Sequence, residues 1–144
     1  ILNGQDITAR LRTYEVDRKV SVVSAIPRIR ELMVTTQRRI AEEGGIVMVG
    51  RDIGTVVLQD ADRKIYLTAM LNTRAERRYA ELDEDERPPF EEIREALRAR
   101  DEADSSREAS PLKPAPDAAV VETDHMTVTE VVCKVADLVQ RNAQ

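Results

Sequence analysis

The strongest constraint on the fold is a short apolar segment enclosed by glycines. Residues 46–49 (Ile-Val-Met-Val) follow Gly44-Gly45 and precede Gly50. Four residues are too few for a helix, and an unbroken apolar run is typical of a strand buried on both faces of a parallel sheet. Residues 64–69 and 118–121 predict two further strands. The chain is therefore expected to contain a parallel sheet.

Helical segments alternate with these strands. Apolar spacing and start and stop signals predict helices over residues 15–24, from Pro27 to the glycines at 44–45, and over residues 73–82 and 90–103. The last predicted helix follows a capping box, Thr127-x-x-Glu130, and carries an apolar stripe formed by Val128, Val131, Val132, Val135, Leu138 and Val139. Residues 1–7, with Asn3-Gly4 inside them, predict a short strand and a turn. This alternation favours an α/β fold.

Composition excludes several classes of protein. The 144 residues suit one domain. No apolar run approaches the roughly 18 to 20 residues that cross a bilayer, and the pattern of a secretory signal is not found. A single cysteine, Cys133, excludes an internal disulfide, and a net charge of −5 argues against nucleic-acid binding. We expect a cytoplasmic protein that binds neither membranes nor nucleic acid.

The first candidate site is the segment that follows the first predicted strand, Gly50-Arg51-Asp52-Ile53-Gly54-Thr55. In open α/β sheets, ligands bind beyond the carboxyl ends of the strands. Arg51 and Asp52, flanked by glycines that allow close approach, suit an anionic ligand that forms hydrogen bonds. A tight turn with a surface ion pair is the alternative interpretation.

The second candidate lies at the end of the helix that begins near residue 90. Three charged residues continue an apolar stripe at steps of three and four, so that one helical face would carry Phe90, Ile93, Leu97, Arg100, Asp104 and Arg107. Such a face either emerges into solvent or enters a site, and alone it favours a salt-bridged helix end. Ser21, Pro27, Arg28 and Arg30, at the junction of two predicted helices, indicate little individually.

Four further features have ordinary interpretations. His125 is expected in a surface loop, and Cys133 is expected to be a small packing residue beside the valine stripe. Arg77-Arg78 fits a solvated helix face, and the acidic residues 83–86 fit a solvated loop.

Taken together, the segments resemble the bacterial-type cytidylate kinase family over essentially the whole chain. The matching segments are Asn3-Gly4-Gln5-Asp6-Ile7 with Leu11-Arg12-Thr13, residues 22–30 (Val-Val-Ser-Ala-Ile-Pro-Arg-Ile-Arg), residues 50–57 (Gly-Arg-Asp-Ile-Gly-Thr-Val-Val), and Arg100-Asp101-x-x-Asp104-Ser105-x-Arg107 with Ser110-Pro111-Leu112. The resemblance implies a P-loop kinase-like three-layer α/β fold with a parallel central sheet. Residues 1–45 would be part of the insert that binds the nucleoside monophosphate, and residues 83–112 would form a lid.

The resemblance also implies an activity, the ATP-dependent phosphorylation of CMP or dCMP to the diphosphate. Positions matching Ser21, Arg30 and Asp52 read the cytosine in that family. Those matching Arg100 and Asp104 contact the ribose, and those matching Arg51 and Arg107 face the phosphate. The expected catalytic residues are Arg51, Arg100 and Arg107. We expect no metal-ligating residues and a monomer when the enzyme is complete.

The sequence departs from the family in one respect. The phosphate-binding loop G-x-x-x-x-G-K-[ST] is absent, and none of the lysines follows a glycine. We therefore expect a fold that is incomplete at its N-terminus. ATP and Mg²⁺ are expected for the complete enzyme, without identifiable binding residues here. Two alternatives stay open, a catalytically inactive fragment or CMP-binding module, and a kinase for another small acceptor.

Overall fold

A computed structural model describes residues 1–85, 87–107 and 110–140, and the side chains of Ala9, Arg12, Tyr14, Asp17, Arg18 and Ser21 lie outside the described part. The described residues form five α-helices: α1 (Tyr14–Ser24), α2 (Pro27–Ala41), α3 (Leu71–Glu81), α4 (Phe90–Ser105) and α5 (Val128–Gln140). They also form two strands, β1 (Ile65–Thr68) and β2 (Ala119–Glu122), with a 3₁₀ turn at Thr8–Arg12 and a π-helical turn at Ile53–Val57. All five predicted helices are therefore confirmed.

The two strands pair in parallel, as the sequence predicted. Ile65 lies opposite Ala119, and Thr68 lies opposite Glu122. The chain crosses from one strand to the other through α3 and α4, which gives the βαβ connection that a parallel pair requires. The described residues thus form an α/β arrangement with a small sheet.

The strand predicted at residues 46–49 was wrong. This segment has no regular structure, and Val47 and Val49 are 91% and 90% exposed. A strand buried on both faces needs a hydrogen-bonded neighbour and covering layers, and the sheet of the described residues does not reach this segment. The apolar run indicates residues that favour burial, but no element of the described part covers Val47 and Val49.

The turn near the start of the chain is confirmed, although the strand around it is only an isolated bridge between Leu2 and Gln5. Asn3 and Gly4 have φ angles of 49° and 82°. Positive φ at both central positions is characteristic of the tight hairpin turn that Asn-Gly favours. The helix stop predicted at Gly44-Gly45 is also confirmed. Helix α2 ends at Ala41, just before these two glycines, which have φ angles of 71° and 60°.

Helix α5 begins at the predicted capping box. The Glu130 carboxylate accepts hydrogen bonds from the backbone N–H of Thr127 at 2.7 Å and from its hydroxyl at 2.8 Å, which lowers the pKa of Glu130. The valine stripe forms on this helix, but no residue of α5 is buried within the described part of the chain. Cys133 is exposed, so its interpretation as a packing residue was wrong.

The apolar contacts closest to the candidate site lie between α3 and α4. Ala75 and Ile93 are fully buried there, and the rings of Tyr79 and Phe90 meet edge to face with centroids 6.0 Å apart. The Arg87 guanidinium lies 4.3 Å from the centre of the Tyr79 ring, a cation–π contact. This packing fixes the orientation of α4 and therefore the position of its charged C-terminal end. Each helix of the described residues is too short or too polar to cross a membrane.

Two polar side chains attach α3 to the loop after β2. Asp124 accepts hydrogen bonds from the Met70 N–H at 2.8 Å and from the Thr73 hydroxyl at 2.9 Å. Arg77 donates to the Thr123 hydroxyl at 3.0 Å and to the Thr123 carbonyl. Arg77 therefore anchors the loop instead of lying on a purely solvated helix face.

The Asp124 contact predicts a pH-dependent stability. The Met70 N–H, together with the Thr73 hydroxyl, holds the pKa of Asp124 below its ordinary value. Its stabilisation is therefore fully present above the ordinary aspartate pKa and is lost as pH falls through the lower, folded-state pKa. We expect Asp124→Asn to be less stable than the unsubstituted protein at neutral pH, with a difference that shrinks in acid. Urea unfolding of both proteins across that pH range measures it, and a constant difference would contradict the prediction.

Candidate functional site

The candidate site is built around one buried carboxylate. Asp104, on α4, is 1% exposed. Its Oδ2 lies 2.9 Å from Nη1 of Arg51 and 3.9 Å from Nε of Arg100, and its Oδ1 contacts Nη2 of Arg107. Burying an ionised carboxylate is costly unless it is paired and hydrogen-bonded. The three arginines compensate the charge, although Oδ2 has no well-aligned hydrogen bond within the described residues. The predicted residues Arg51, Arg100, Asp104 and Arg107 therefore meet in one place.

The helix predicted over residues 90–103 runs to Ser105, so its charged face ends before Arg107. Arg107 follows the helix and turns back to Asp104, and its Nη2 lies 3.3 Å from the Ser24 hydroxyl at the end of α1. The Leu112 N–H donates to the Asp104 carbonyl at 2.9 Å and draws the following loop to the same residue. The charged end of the stripe is thus salt-bridged, as the stripe alone favoured, but the ion pairs surround a buried carboxylate instead of lying on the surface.

Asp101 and Arg74 extend this group of ion pairs, although the sequence did not single them out as site residues. Asp101, one helical turn before Asp104, contacts Nη1 of Arg51 through Oδ1 at 3.2 Å and Nη1 of Arg74 through Oδ2 at 2.6 Å. The three-residue spacing from Asp104 was a visible signal for Asp101. Arg74 comes from α3, and no local pattern predicts that it reaches α4. We call Arg51, Arg74, Arg100, Asp101, Asp104 and Arg107 the arginine cluster.

A separate ion pair lies next to the arginine cluster. Nη2 of Arg30, on α2, is 3.0 Å from Oδ2 of Asp52, and the two side chains are 16% and 12% exposed. The described residues offer no well-aligned hydrogen-bond partner to Nε of Arg30 or to Oδ2 of Asp52, both of which are buried. A buried polar atom without a hydrogen bond costs about 1–3 kcal/mol. This ion pair, which we call the Arg30–Asp52 pair, therefore contains one donor atom and one acceptor atom whose hydrogen bonds the described residues do not complete.

The segment that carries Arg51 and Asp52 has an unusual backbone. A Cβ on Gly50 would lie 2.8 Å from Cγ1 of Ile53, so only glycine fits without a shift. The π-helical turn at Ile53–Val57 follows directly, and such turns are frequent at functional sites. The sequence interpretation as a tight turn with a surface ion pair does not describe this geometry, because both charged side chains have partners on distant helices.

Arg38 fixes the far end of this segment. It lies two helical turns after Arg30 on α2, and it donates from Nε to the Val57 carbonyl at 2.9 Å and from Nη2 to the Val56 carbonyl at 2.7 Å. Helix α2 is consequently joined to residues 52–57 at two points. The sequence did not indicate this role, since an arginine on a polar helix face is usually solvated.

The remaining candidates lie apart from the site or outside its described part. Arg28 is exposed and pairs with Glu31 at 2.9 Å, while Pro27 begins α2. His125 is exposed, as predicted, and so are residues 83–85 of the acidic loop, whereas Glu86 lies outside the described residues. Ser21 belongs to α1, but its side chain is not in the described part, so its predicted contact stays a prediction.

Comparison with known proteins identifies the family. A family model for cytidylate kinase matches residues 1–141. The chain belongs to the cytidylate kinase family. Curated cytidylate kinases of Streptococcus pyogenes serotype M5 (strain Manfredo) and serotype M49 (strain NZ131) are each 50% identical over 132 residues, which is 91% of this chain and 58% of each relative. A cytidylate kinase of serotype M12 (strain MGAS2096) is 49% identical over the same length. The chain thus spans well under two thirds of these cytidylate kinases.

Arg38 gives a prediction about how this site is held. We expect Arg38→Ala to lower the free energy of unfolding by about 1 kcal/mol, because two backbone carbonyls lose a charged donor. Arg39→Ala is the matched control, since Arg39 is the exposed neighbour on the same helix and removes the same charge. Chemical denaturation of both variants measures the difference, and equal stabilities would show that Arg38 holds nothing in place.

Proposed function

We propose that the protein carrying this chain transfers a phosphoryl group from ATP to CMP or dCMP, and that residues of this chain hold the acceptor nucleotide. The observation that carries the proposal is the buried Arg30–Asp52 pair, in which Nε of Arg30 and Oδ2 of Asp52 lack a well-aligned hydrogen bond within the described residues. Membership of the cytidylate kinase family and curated relatives named for that activity support it.

The hydrogen-bonding pattern of the pair matches cytosine. The exocyclic amine of cytosine is a donor, which the Asp52 carboxylate can accept. The ring nitrogen and carbonyl of cytosine are acceptors, to which the Arg30 guanidinium can donate. Uracil presents a carbonyl in place of the amine and would face the carboxylate with an acceptor. A buried carboxylate left without a donor is costly, so the pocket would discriminate against uracil. Ser21, by resemblance, would add another contact to the base.

The arginine cluster suits the phosphate end of the nucleotide. Its four arginines and two aspartates give a formal charge of +2. A phosphate monoester carries about −1.5 to −2 near neutral pH, which would bring the cluster close to neutrality. In this proposal Arg51 and Arg107 face the phosphate, while Arg100 and Asp104 contact the ribose. The position of the cluster beside the Arg30–Asp52 pair supports one continuous ligand, since Arg51 and Asp52 are adjacent in the chain.

The chemical contribution of these residues is positioning and charge compensation. Phosphoryl transfer needs little covalent chemistry from the protein, and most of the catalysis comes from alignment and from stabilising the charge of the transferred group. Arg51 and Arg107 would hold the acceptor phosphate for in-line attack on ATP, and Arg100 would orient the sugar that carries it. Arginines that close around the site would also exclude water.

Mg²⁺ is expected in this reaction, but the described residues do not fit a site for it. Asp52, Asp101 and Asp104 each contact an arginine, and no group of three or more potential ligands occurs in the described part of the chain. We assign no Mg²⁺ ligand and no ATP contact to this chain. The P-loop kinase-type fold, the insert at residues 1–45, the lid at residues 83–112, a cytoplasmic location and a monomeric state complete the proposal.

Asp52→Asn tests the reading of the base. We expect CMP affinity to fall roughly 10- to 100-fold, the effect of losing a hydrogen bond to a charged group. UMP affinity should fall less or rise, because the asparagine amide can donate to the uracil carbonyl. Titration calorimetry with both nucleotides measures the ratio of affinities, and Asp60→Asn, an exposed aspartate, is the control. An unchanged ratio would remove Asp52 from base recognition.

Arg107→Ala tests the transfer step in the whole protein encoded by the gene. We expect kcat with ATP and CMP to fall roughly 100-fold or more, as for the loss of a donor that stabilises transition-state charge. Stability should fall as well, because Oδ1 of the buried Asp104 loses its contact with Arg107 while Oδ2 keeps its ion pairs with Arg51 and Arg100, so kcat is compared at a temperature where both proteins are folded. A coupled kinase assay and thermal unfolding give the two values. An unsubstituted protein that binds CMP without converting it would instead support a CMP-binding module, and conversion of another acceptor would support a different kinase.

A further inference from the structure

Asp101 contacts two arginines that come from different parts of the chain, Arg51 and Arg74. We propose that Asp101 is a positioning residue that holds Arg51 and Arg74 at the phosphate end of the acceptor site. The inference rests on the proposed function, in which Arg51 faces the phosphate of the acceptor nucleotide. It concerns a residue that touches the arginines and not the substrate.

The two oxygens of the Asp101 carboxylate are divided between the arginines. Oδ1 lies 3.2 Å from Nη1 of Arg51, and Oδ2 lies 2.6 Å from Nη1 of Arg74. Arg51 comes from the loop before the π-helical turn, Arg74 from α3, and Asp101 from α4. One carboxylate therefore joins three segments, with one oxygen directed to each arginine.

Each arginine is also held from a second direction. Nη1 of Arg51 lies 2.9 Å from Oδ2 of Asp104, so it sits between two carboxylates that are one helical turn apart. Nε of Arg74 donates to the Ala69 carbonyl at 3.0 Å, which directs its Nη1 toward Asp101. Two restraints on each guanidinium restrict its orientation, which is the condition for placing a phosphate with precision.

The exposure of these side chains leaves room for an anion. Arg51 and Arg74 are each 32% exposed and Asp101 is 27% exposed, whereas Asp104 is 1% exposed. Both carboxylates contact Arg51 through Nη1, and a guanidinium has five N–H donors in all. Arg51 can consequently receive a phosphate from the solvent side while Asp101 and Asp104 hold it from behind.

Loss of the Asp101 charge would affect the phosphate end of the site selectively. Without it, two guanidinium groups lose the carboxylate they share and repel each other, and Arg51 is restrained by Asp104 alone. The Arg30–Asp52 pair makes no described contact with Asp101, so recognition of the base should persist. Cytidine, which has the base and sugar of CMP but no phosphate, separates the two effects.

The test compares CMP and cytidine binding in the whole protein encoded by the gene. We expect Asp101→Asn to weaken CMP binding roughly tenfold, the scale of one charge-assisted contact, and to leave cytidine binding unchanged. Asp101→Glu keeps both acceptor oxygens and should restore part of the lost CMP affinity. Glu102→Gln is the matched control, since it removes one negative charge from the exposed face of the same helix, where Glu102 pairs with Arg98.

The outcomes are distinguishable by calorimetry. Equal losses of CMP and cytidine affinity would make Asp101 a purely structural residue, and unchanged CMP affinity would remove it from the site, so either overturns the proposal. If Asp101→Asn does not fold, the same ratio measured for Asp101→Glu decides, with unchanged affinities for both ligands overturning it. Failure of the proposed function would be visible separately, as an unsubstituted protein that does not prefer CMP over UMP.

Discussion

The buried carboxylate of Asp104 determines how the rest of this site is arranged. It lies at the end of α4 at 1% exposure, where an unpaired charge would be strongly unfavourable. Arg51 and Arg107 approach it from separate segments and compensate the charge, and Arg107 turns back past the end of the helix to do so. The packing of α3 against α4 fixes the place at which this compensation must occur. The loop before the π-helical turn and the loop after α4 are thereby brought to one point.

Two kinds of polar environment lie side by side in this structure. In the arginine cluster the aspartate charges are covered by arginines that outnumber them, so the remaining positive charge is available to an anion. In the Arg30–Asp52 pair the charges balance, and Nε of Arg30 and Oδ2 of Asp52 lack aligned hydrogen bonds among the described residues, as does Oδ2 of Asp104 in the cluster. The first arrangement attracts charge with little regard to shape, and the second selects a hydrogen-bonding pattern. A nucleoside monophosphate presents a charge at one end and such a pattern at the other.

The sequence predicted local structure well and burial poorly. Caps, glycines and apolar spacing located all five helices and the strand pair, because these signals act within a few residues. The strand at residues 46–49 and the packing of α5 failed because periodicity reports which face favours burial, not which element covers it. Most of the residues that the resemblance named do contact one another in the structure, whereas the contacts of Asp101, Arg74 and Arg38 were missed. Their partners lie on other segments, and no local pattern encodes a tertiary ion pair.

The adjacent residues Arg51 and Asp52 connect the two environments. Arg51 pairs with α4 through Asp104 and Asp101, while Asp52 pairs with α2 through Arg30. The two ion pairs hold the start of this short segment and Arg38 holds the carbonyls at the end of the following turn, so the segment is restrained on both sides. A displacement of α2 relative to α4 must therefore strain one of the two ion pairs. In the proposed function, one dipeptide would consequently set the distance between the group that reads the base and the group that receives the phosphate.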